Sequence, residues 1–161
     1  MMTIVKGNVL DSNADAILHQ VNCQGVMGSG LAKEIKERYP VVFHEYKALC
    51  DRFKSVSIAN QNPLLGNIQI VYKENYNVND VKDKQVVVNL FAQDKYGYSG
   101  RCYTDYDALR KCLSAVNKMF RGKNIAVPYG MSCGRGGADW EIVSKMIEKE
   151  LKDCNIMLYK L

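Results

Sequence analysis

The sequence predicts an α/β layered sandwich, and three observations carry the prediction. Short apolar runs rich in branched residues alternate with stretches whose apolar residues recur every three to four positions. Two glycine-rich loops, Gly25 to Gly30 and Gly130 to Gly137, each stand between such a run and such a stretch. The run Val86 to Ala92 is almost unbroken in apolar residues, as suits a strand covered on both faces. Alternation of this kind lays helices on a sheet, and ligands of such sheets gather at the carboxyl ends of the strands, where chain order switches.

Thr3 to Val5 and Ala16 to Val21 read as strands, with turn chemistry from Gly7-Asn8 and Asp11-Ser12-Asn13 between them. Leu31 to Arg38 reads as a helix that closes before Pro40, because the residue preceding proline is pushed out of the helical region. Val42, Tyr46, Leu49, Cys50 and Phe53 mark the buried stripe of a second helix, and Ile68 to Tyr72 is the strand that follows. Asn75 to Lys84 is polar enough to be a mobile loop before the Val86 strand. Thr104 with Asp107 predicts a variant of the capping box, opening a helix that buries Leu109, Leu113, Val116 and Phe120 and ends at Gly122. Ile125 to Val127 is a strand ahead of Pro128. Asp139 caps a helix over Trp140 to Leu151 that turns Val143, Ile147 and Leu151 inward, and Ile156 to Tyr159 is the last strand. No repeat or linker interrupts this order, so residues 1–161 are expected to form a single domain.

The 161 residues, 47% hydrophobic and 24% charged, suffice for a core without metals or disulfides and exclude disorder, collagen and coiled coil. No apolar run approaches the roughly 20 residues of a membrane span, and no signal peptide opens the chain, so the expected protein is cytoplasmic with no membrane partner. Six cysteines without C-x-x-C spacing read as reduced thiols. His19 and His44 are too sparse for a metal site, and no metal or cofactor is expected. The formal charge of +5 favours an anionic partner only weakly, since bases alternate with acids in runs such as Lys33-Glu34-Ile35-Lys36-Glu37-Arg38. Recognition of phosphate must therefore come from local geometry.

The glycine loops supply that geometry. Backbone amides free of bulky side chains wrap an anion, and a helix N-terminus adds partial positive charge. Glycines that merely make tight turns are the alternative for either loop, but two such loops in strand-to-helix position would clasp a diphosphate between them. Walker A spacing is absent, and the first loop reads G-x-x-G-x-G instead of the dinucleotide order G-x-G-x-x-G, which disfavours a P-loop nucleotidase and a simple dehydrogenase.

Val5-Lys6-Gly7-Asn8-Val9-Leu10, Asp15 to Cys23, the first glycine loop and Pro128 to Trp140 together resemble a macrodomain over nearly the whole chain. Asn22-Cys23-Gln24-Gly25, Gly28 to Ala32, Arg38-Tyr39-Pro40 and Tyr46 are most similar to the branch of ADP-ribose 1''-phosphate phosphatases, which adjoins the ADP-ribosyl glycohydrolases. The resemblance implies a three-layer α/β/α sandwich with a mixed, roughly six-stranded sheet and ADP-ribose in a cleft across its top. It places the adenine beside Asn8 and Val9, with a plain turn role the alternative for Asn8. Gly25, Val26, Met27, Gly28, Ser29, Gly30 and Leu31 would approach the proximal ribose and diphosphate, with Ser132, Cys133, Gly134, Arg135, Gly136 and Gly137 holding the diphosphate from the other side. Asn22 would face the distal ribose, though as a turn residue it could equally satisfy its own backbone.

For catalysis the resemblance implies, in the ester-cleaving glycohydrolases, a lysine late in the fourth-strand segment and an aspartate in the second loop. Those positions fall on Gln93 and Gly136, so the lysine mechanism does not transfer, although Lys95 and Asp94 lie close by. Asn22, His19, Gln93 and Asp139 are the candidate catalytic residues: His19 to orient water, against a packed histidine, and Asp139 as a base, against its capping role. Cys23 and Cys133, at loop edges, read as small packed residues. The cluster Tyr96, Tyr98, Tyr103 and Tyr106, interleaved with Gly97, Gly100 and Arg101, could grip a base or sugar or simply pack as a loop. The expected activity is hydrolysis at the distal ribose of ADP-ribose 1''-phosphate or of an ADP-ribosylated protein or nucleic acid, by a monomer that releases ADP-ribose. A non-catalytic ADP-ribose reader is the first alternative, and an unrelated α/β enzyme using NAD the second.

Overall fold

A computed structural model describes residues 2–73 and 85–161; the loop expected over Asn75 to Lys84 lies outside the described residues. Six strands, β1 (Met2–Lys6), β2 (Ala16–Asn22), β3 (Ile68–Tyr72), β4 (Val86–Gln93), β5 (Asn124–Pro128) and β6 (Asn155–Lys160), form one sheet in the order β1-β6-β5-β2-β4-β3. Only β3 runs antiparallel to its neighbour β4; the remaining pairs are parallel, so the sheet is mixed. Among the described residues four helices cover it: α1 (Gly30–Arg38), α2 (Pro40–Arg52), α3 (Tyr106–Met119) and α4 (Trp140–Glu150).

The layers follow from alternation in the central strands, where successive side chains leave opposite faces. Ile17 and Val21 of β2, with Val87 and Phe91 of β4, join Ile35 of α1 and Val42, Tyr46 and Cys50 of α2 in one core. Ala16 and Leu18, with Val88 and Leu90, join Leu109, Leu113 and Val116 of α3 and Val143 and Ile147 of α4 in the other. All eight residues of β4 are buried, as a strand sandwiched between helices requires. The macrodomain-like sandwich is therefore present, with helices on both faces.

The structure differs from the sequence reading at element ends. The cap of α3 is Asp105, whose carboxylate accepts from the Ala108 amide, and not Thr104. Thr104 is buried in a polar network instead, and Asp107 pairs with Arg110 and Lys111 on the surface. Helix α3 stops at Met119 before Gly122, with Phe120 at its C-cap. A 3-10 turn, Val9–Asp11, unmarked by periodicity, buries Val9 and Leu10 and is capped by Asn8.

Candidate functional site

Strands β2 and β5 pair only through Ala16 with Ile125 and Ile17 with Ala126. Beyond Ile17 no ladder joins them, while β2 stays paired to β4 as far as Gln93. This is the switch point of the sheet, since the crossover through α1 and α2 leads to one side of β2 and that through α3 to the other. A cleft of about 280 Å³ opens at the carboxyl ends of these strands. His19, Gln20, Val21 and Asn22 line it from β2, and Pro128, Tyr129 and Gly130 from the end of β5. Val26 and Gly28 to Ala32 of the first loop and α1 close one side; Met131, Ser132, Gly134, Arg135 and Gly136 close the other. Gln93, Tyr96 and Tyr98 complete the wall, which contains no Asp or Glu among the described residues.

The first loop is shaped by Asn22. The β2–β4 ladder slips by one residue here, with Val21 opposite Phe91 but Asn22 opposite Gln93. The Asn22 Oδ1 accepts from the Gln24 amide at 2.9 Å and the Tyr46 hydroxyl at 2.7 Å, while its Nδ2 donates to the Val26 carbonyl at 2.8 Å. Gly25 takes φ +81° and packs against Cys50, and Met27 is sunk in the core, so neither lines the cleft. Gly28, Ser29 and Gly30 do. Ser29 is the N-cap of α1 but makes no side-chain capping bond, whereas Asp105 and Asp139 cap α3 and α4 with carboxylates. The amides opening α1 are thus left uncapped by side chains at the cleft, ready for an external acceptor.

The second loop is tied to β2 through Gln20. The Ser132 hydroxyl donates to Gln20 Oε1 at 2.6 Å, and Gln20 Nε2 donates to Gln93 Oε1 and Thr104 Oγ1, both at 2.8 Å. Thr104 in turn donates toward the carbonyls of Ser132 and Gly136. A Cβ at Gly136 would lie 2.5 Å from Ser132 O, 2.7 Å from Thr104 Oγ1 and 2.8 Å from Gln20 Nε2. The aspartate implied for this position by resemblance therefore has no room here; Gln20 and Thr104 occupy its space. Gln93, at the implied lysine position, is locked by Gln20 and by its own donation to the Lys95 carbonyl at 2.9 Å. Arg135 stacks on Tyr98, its guanidinium carbon 4.0 Å from the ring centroid, and closes the rim.

His19 is 2% exposed and lines the inner wall. Asn89 Nδ2 donates to Gln69 Oε1, so Asn89 Oδ1 is the acceptor in its short contact with His19 Nε2, and the imidazole carries its proton on Nε2. Nδ1 is then a bare acceptor, and it has no partner among the described residues. Burial pulls the His19 pKa down to about 4, so the ring is neutral near pH 7. Burial pushes the Cys50 thiol up to about 11 and Cys112 up to about 12, and raises Cys23 and Cys133 as well, so these four offer no thiolate nucleophile.

Of the residues singled out from sequence, the cleft brings together Asn22, His19, Gln93, Val26, Gly28, Ser29, Gly30, Leu31, Ser132, Gly134, Arg135 and Gly136. It does not reach Asn8, which caps its turn and donates to Glu34, nor the buried Val9. Cys133 faces the α3–α4 core, and Gly137, at φ +68°, packs against the Arg101 carbonyl. Asp139 accepts from the Glu141 amide as the cap of α4 and stands off the cleft wall. Tyr103 and Tyr106 also lie off this wall. Sequence reasoning missed Gln20, Tyr129 and Met131; the adjacent polar pair His19-Gln20 between Leu18 and Val21 was the available signal for Gln20. Among the described residues no group of His, Cys, Asp or Glu could hold a metal ion, and no helix is long and apolar enough to cross a membrane.

No family model matches the chain. Its sequence is 27% identical over 162 residues to the DNA ADP-ribosyl glycohydrolase of Mycobacterium tuberculosis, covering 99% of this chain and 42% of that protein. It is 23% identical over 175 residues to the ADP-ribose 1''-phosphate phosphatase of Saccharomyces cerevisiae, covering 99% of this chain and 98% of that one. The chain spans about two fifths of the length of the first curated relatives it matches. Among solved structures, the macrodomain of Thermus aquaticus DarG superposes with a TM-score of 0.74 at 22% identity, covering 100% of this chain and 99% of that one. Thermosipho africanus DarTG in complex with ADP-ribose gives 0.74 at 18% identity, covering 98% of this chain and 41% of that one. The fold is that of the macrodomains.

Proposed function

We propose that this chain, a macrodomain by fold, binds ADP-ribose in the cleft and hydrolyses a bond at its distal ribose, releasing ADP-ribose. The observation that carries this reading is the meeting of the uncapped amides of α1 with the second glycine loop across one acid-free cleft. A diphosphate between them finds main-chain donors on both sides and a helix N-terminus beneath it. Relatives named for hydrolysing ADP-ribose derivatives, and a similar fold solved with ADP-ribose, support the same ligand.

The catalytic route contains no amine nucleophile. Gln93 is a carboxamide, Gly136 has no side chain, and the buried thiols stay protonated. Asn22 keeps a second Nδ2 proton beyond the one given to Val26, and Asn22, the loop amides and the diphosphate would position a water against the distal bond. His19 Nδ1 is the nearby acceptor that can orient it. Rate acceleration then comes from placement and from donors preset for developing charge. In this reading the described residues act as one unit built on a single sheet.

Incubation with ADP-ribose 1''-phosphate, ADP-ribosylated protein and ADP-ribosylated DNA, reading free phosphate and free ADP-ribose, tests the activity. Product from any of the three supports it. Tight ADP-ribose binding without product assigns a reader instead, which Gln93 and Gly136 favour. NAD bound at least as tightly as ADP-ribose would overturn both.

A further inference from the structure

We infer that a second, smaller cavity beside the cleft is a phosphate subsite for a group carried by the ligand beyond its distal ribose. The inference rests on the reading of the main cleft as an ADP-ribose site and extends it to the class of substrate.

The cavity measures about 110 Å³, several times the about 10–15 Å³ that one water needs. Gly97, Tyr98, Gly100 and Arg101 line one side, and Gly134, Arg135 and Gly137 the other. Tyr98, Gly134 and Arg135 also line the main cleft, so the stacked Arg135–Tyr98 pair is the partition between the two spaces. A group in the small cavity can therefore be covalently continuous with a ligand in the large one.

The lining selects an anion. Both arginines are held by aromatic faces, Arg135 on Tyr98 and Arg101 on Tyr103 at 4.6 Å, which leaves their N–H edges for an acceptor. Neither pairs with a carboxylate among the described residues, although five other cations of the chain do. No acidic side chain lines the cavity. The main-chain amides of Gly97, Tyr98, Gly100, Arg101, Gly134 and Arg135 have no acceptor among the described residues either. Two forked guanidinium groups and a row of unused amides match the three oxygens of a phosphate better than a sugar or an apolar group. Glycine serves this space directly: a Cβ at Gly100 or Gly134 would meet nothing within 4 Å, so hydrogen there leaves the cavity open.

The phosphate has two chemical sources, a monoester on the distal ribose or the phosphodiester of a nucleic-acid strand to which ADP-ribose is attached. Calorimetric titration of wild type and Arg101→Gln at low salt with ADP-ribose, ADP-ribose 1''-phosphate and an ADP-ribosylated oligonucleotide distinguishes them. Arg101 lies outside the main cleft, so Arg101→Gln keeps ADP-ribose affinity within about twofold. Wild type binds at least one phosphate-bearing ligand roughly tenfold tighter than ADP-ribose, and Arg101→Gln abolishes that advantage, with Arg101→Lys intermediate because it keeps charge without the fork. A gain with the monoester assigns the first source; a gain confined to the oligonucleotide assigns the second. No gain with either, or a gain that survives Arg101→Gln, overturns the subsite while ADP-ribose binding stands. Failure of wild type to bind ADP-ribose itself overturns the cleft and the subsite together.

Discussion

Replacing Gly136 by alanine isolates the network that holds the second loop. The added methyl would stand 2.5 Å from the Ser132 carbonyl, 0.9 Å inside the 3.4 Å at which ordinary contact begins, and within 2.8 Å of both Thr104 Oγ1 and Gln20 Nε2. One of these neighbours is backbone and the other two are held in the Gln20 network, so none yields cheaply. The carbonyl of Gly136 also accepts the amides of Tyr103 and Thr104 at 2.9 and 3.0 Å, so a shift of the loop strains those bonds as well. Overpacking costs about 1–3 kcal/mol and each disrupted hydrogen bond about 1 kcal/mol, giving a destabilisation of about 2–4 kcal/mol. For a domain of this size that lowers the midpoint of thermal unfolding by roughly 5–15 °C. Differential scanning calorimetry reads it directly, with Gly134→Ala as control, since its methyl meets nothing within 4 Å and its effect stays within about 0.5 kcal/mol. A Gly136→Ala protein that melts with wild type would refute the claim that this loop is locked against β2.

Tyr46→Phe removes the hydroxyl that reaches Asn22 O and Oδ1 at 2.7 Å, and is expected to cost about 1–2 kcal/mol in urea unfolding and to weaken ligand affinity through the loosened first loop. Between pH 6.5 and pH 4 the unfolded chain binds a proton at His19 that the native ring, with pKa about 4, refuses, so stability falls as pH falls. The loss reaches about 3 kcal/mol at pH 4, and His19→Gln should flatten that part of the pH profile; an unchanged slope would contradict the burial of His19. An aromatic disulfide reagent should modify exposed Cys102 first in the native protein and leave buried Cys23, Cys50, Cys112 and Cys154 unmodified until denaturant is added, followed by counting released thiolate.

The layers and the cleft were legible because they rest on local signals. The short apolar run within Ala16 to Val21, the apolar run of β4, and glycines at strand-to-helix junctions each act within a few residues, and each appears where expected. The capping of α3 was not legible in the same way. Thr104 and Asp105 are both good caps, and the choice between them is made by Gln20 and Gly136, which bind Thr104 from 84 and 32 residues away. Asn22 shows the same limit, since its role in ordering the loop depends on Tyr46 of α2 and on the slip in the β2–β4 ladder. Gln20 is set apart from its polar neighbours His19 and Asn22 only by partners distant in sequence, Gln93, Thr104 and Ser132. The space it takes beside Gly136 is what separates this site from one with an aspartate in that loop.

Isothermal titration of ADP-ribose into wild type and Gly28→Glu tests the cleft most directly. A Cβ at Gly28 would meet only Val26 at 3.5 Å, so a side chain can start there without a clash, and because Gly28 lines the cleft a glutamate brings its carboxylate to the place proposed for the diphosphate. Saturable binding by wild type, lost in the variant while its unfolding midpoint is kept, is the predicted result. A wild type that gives no heat, or a variant that binds as tightly, would contradict it.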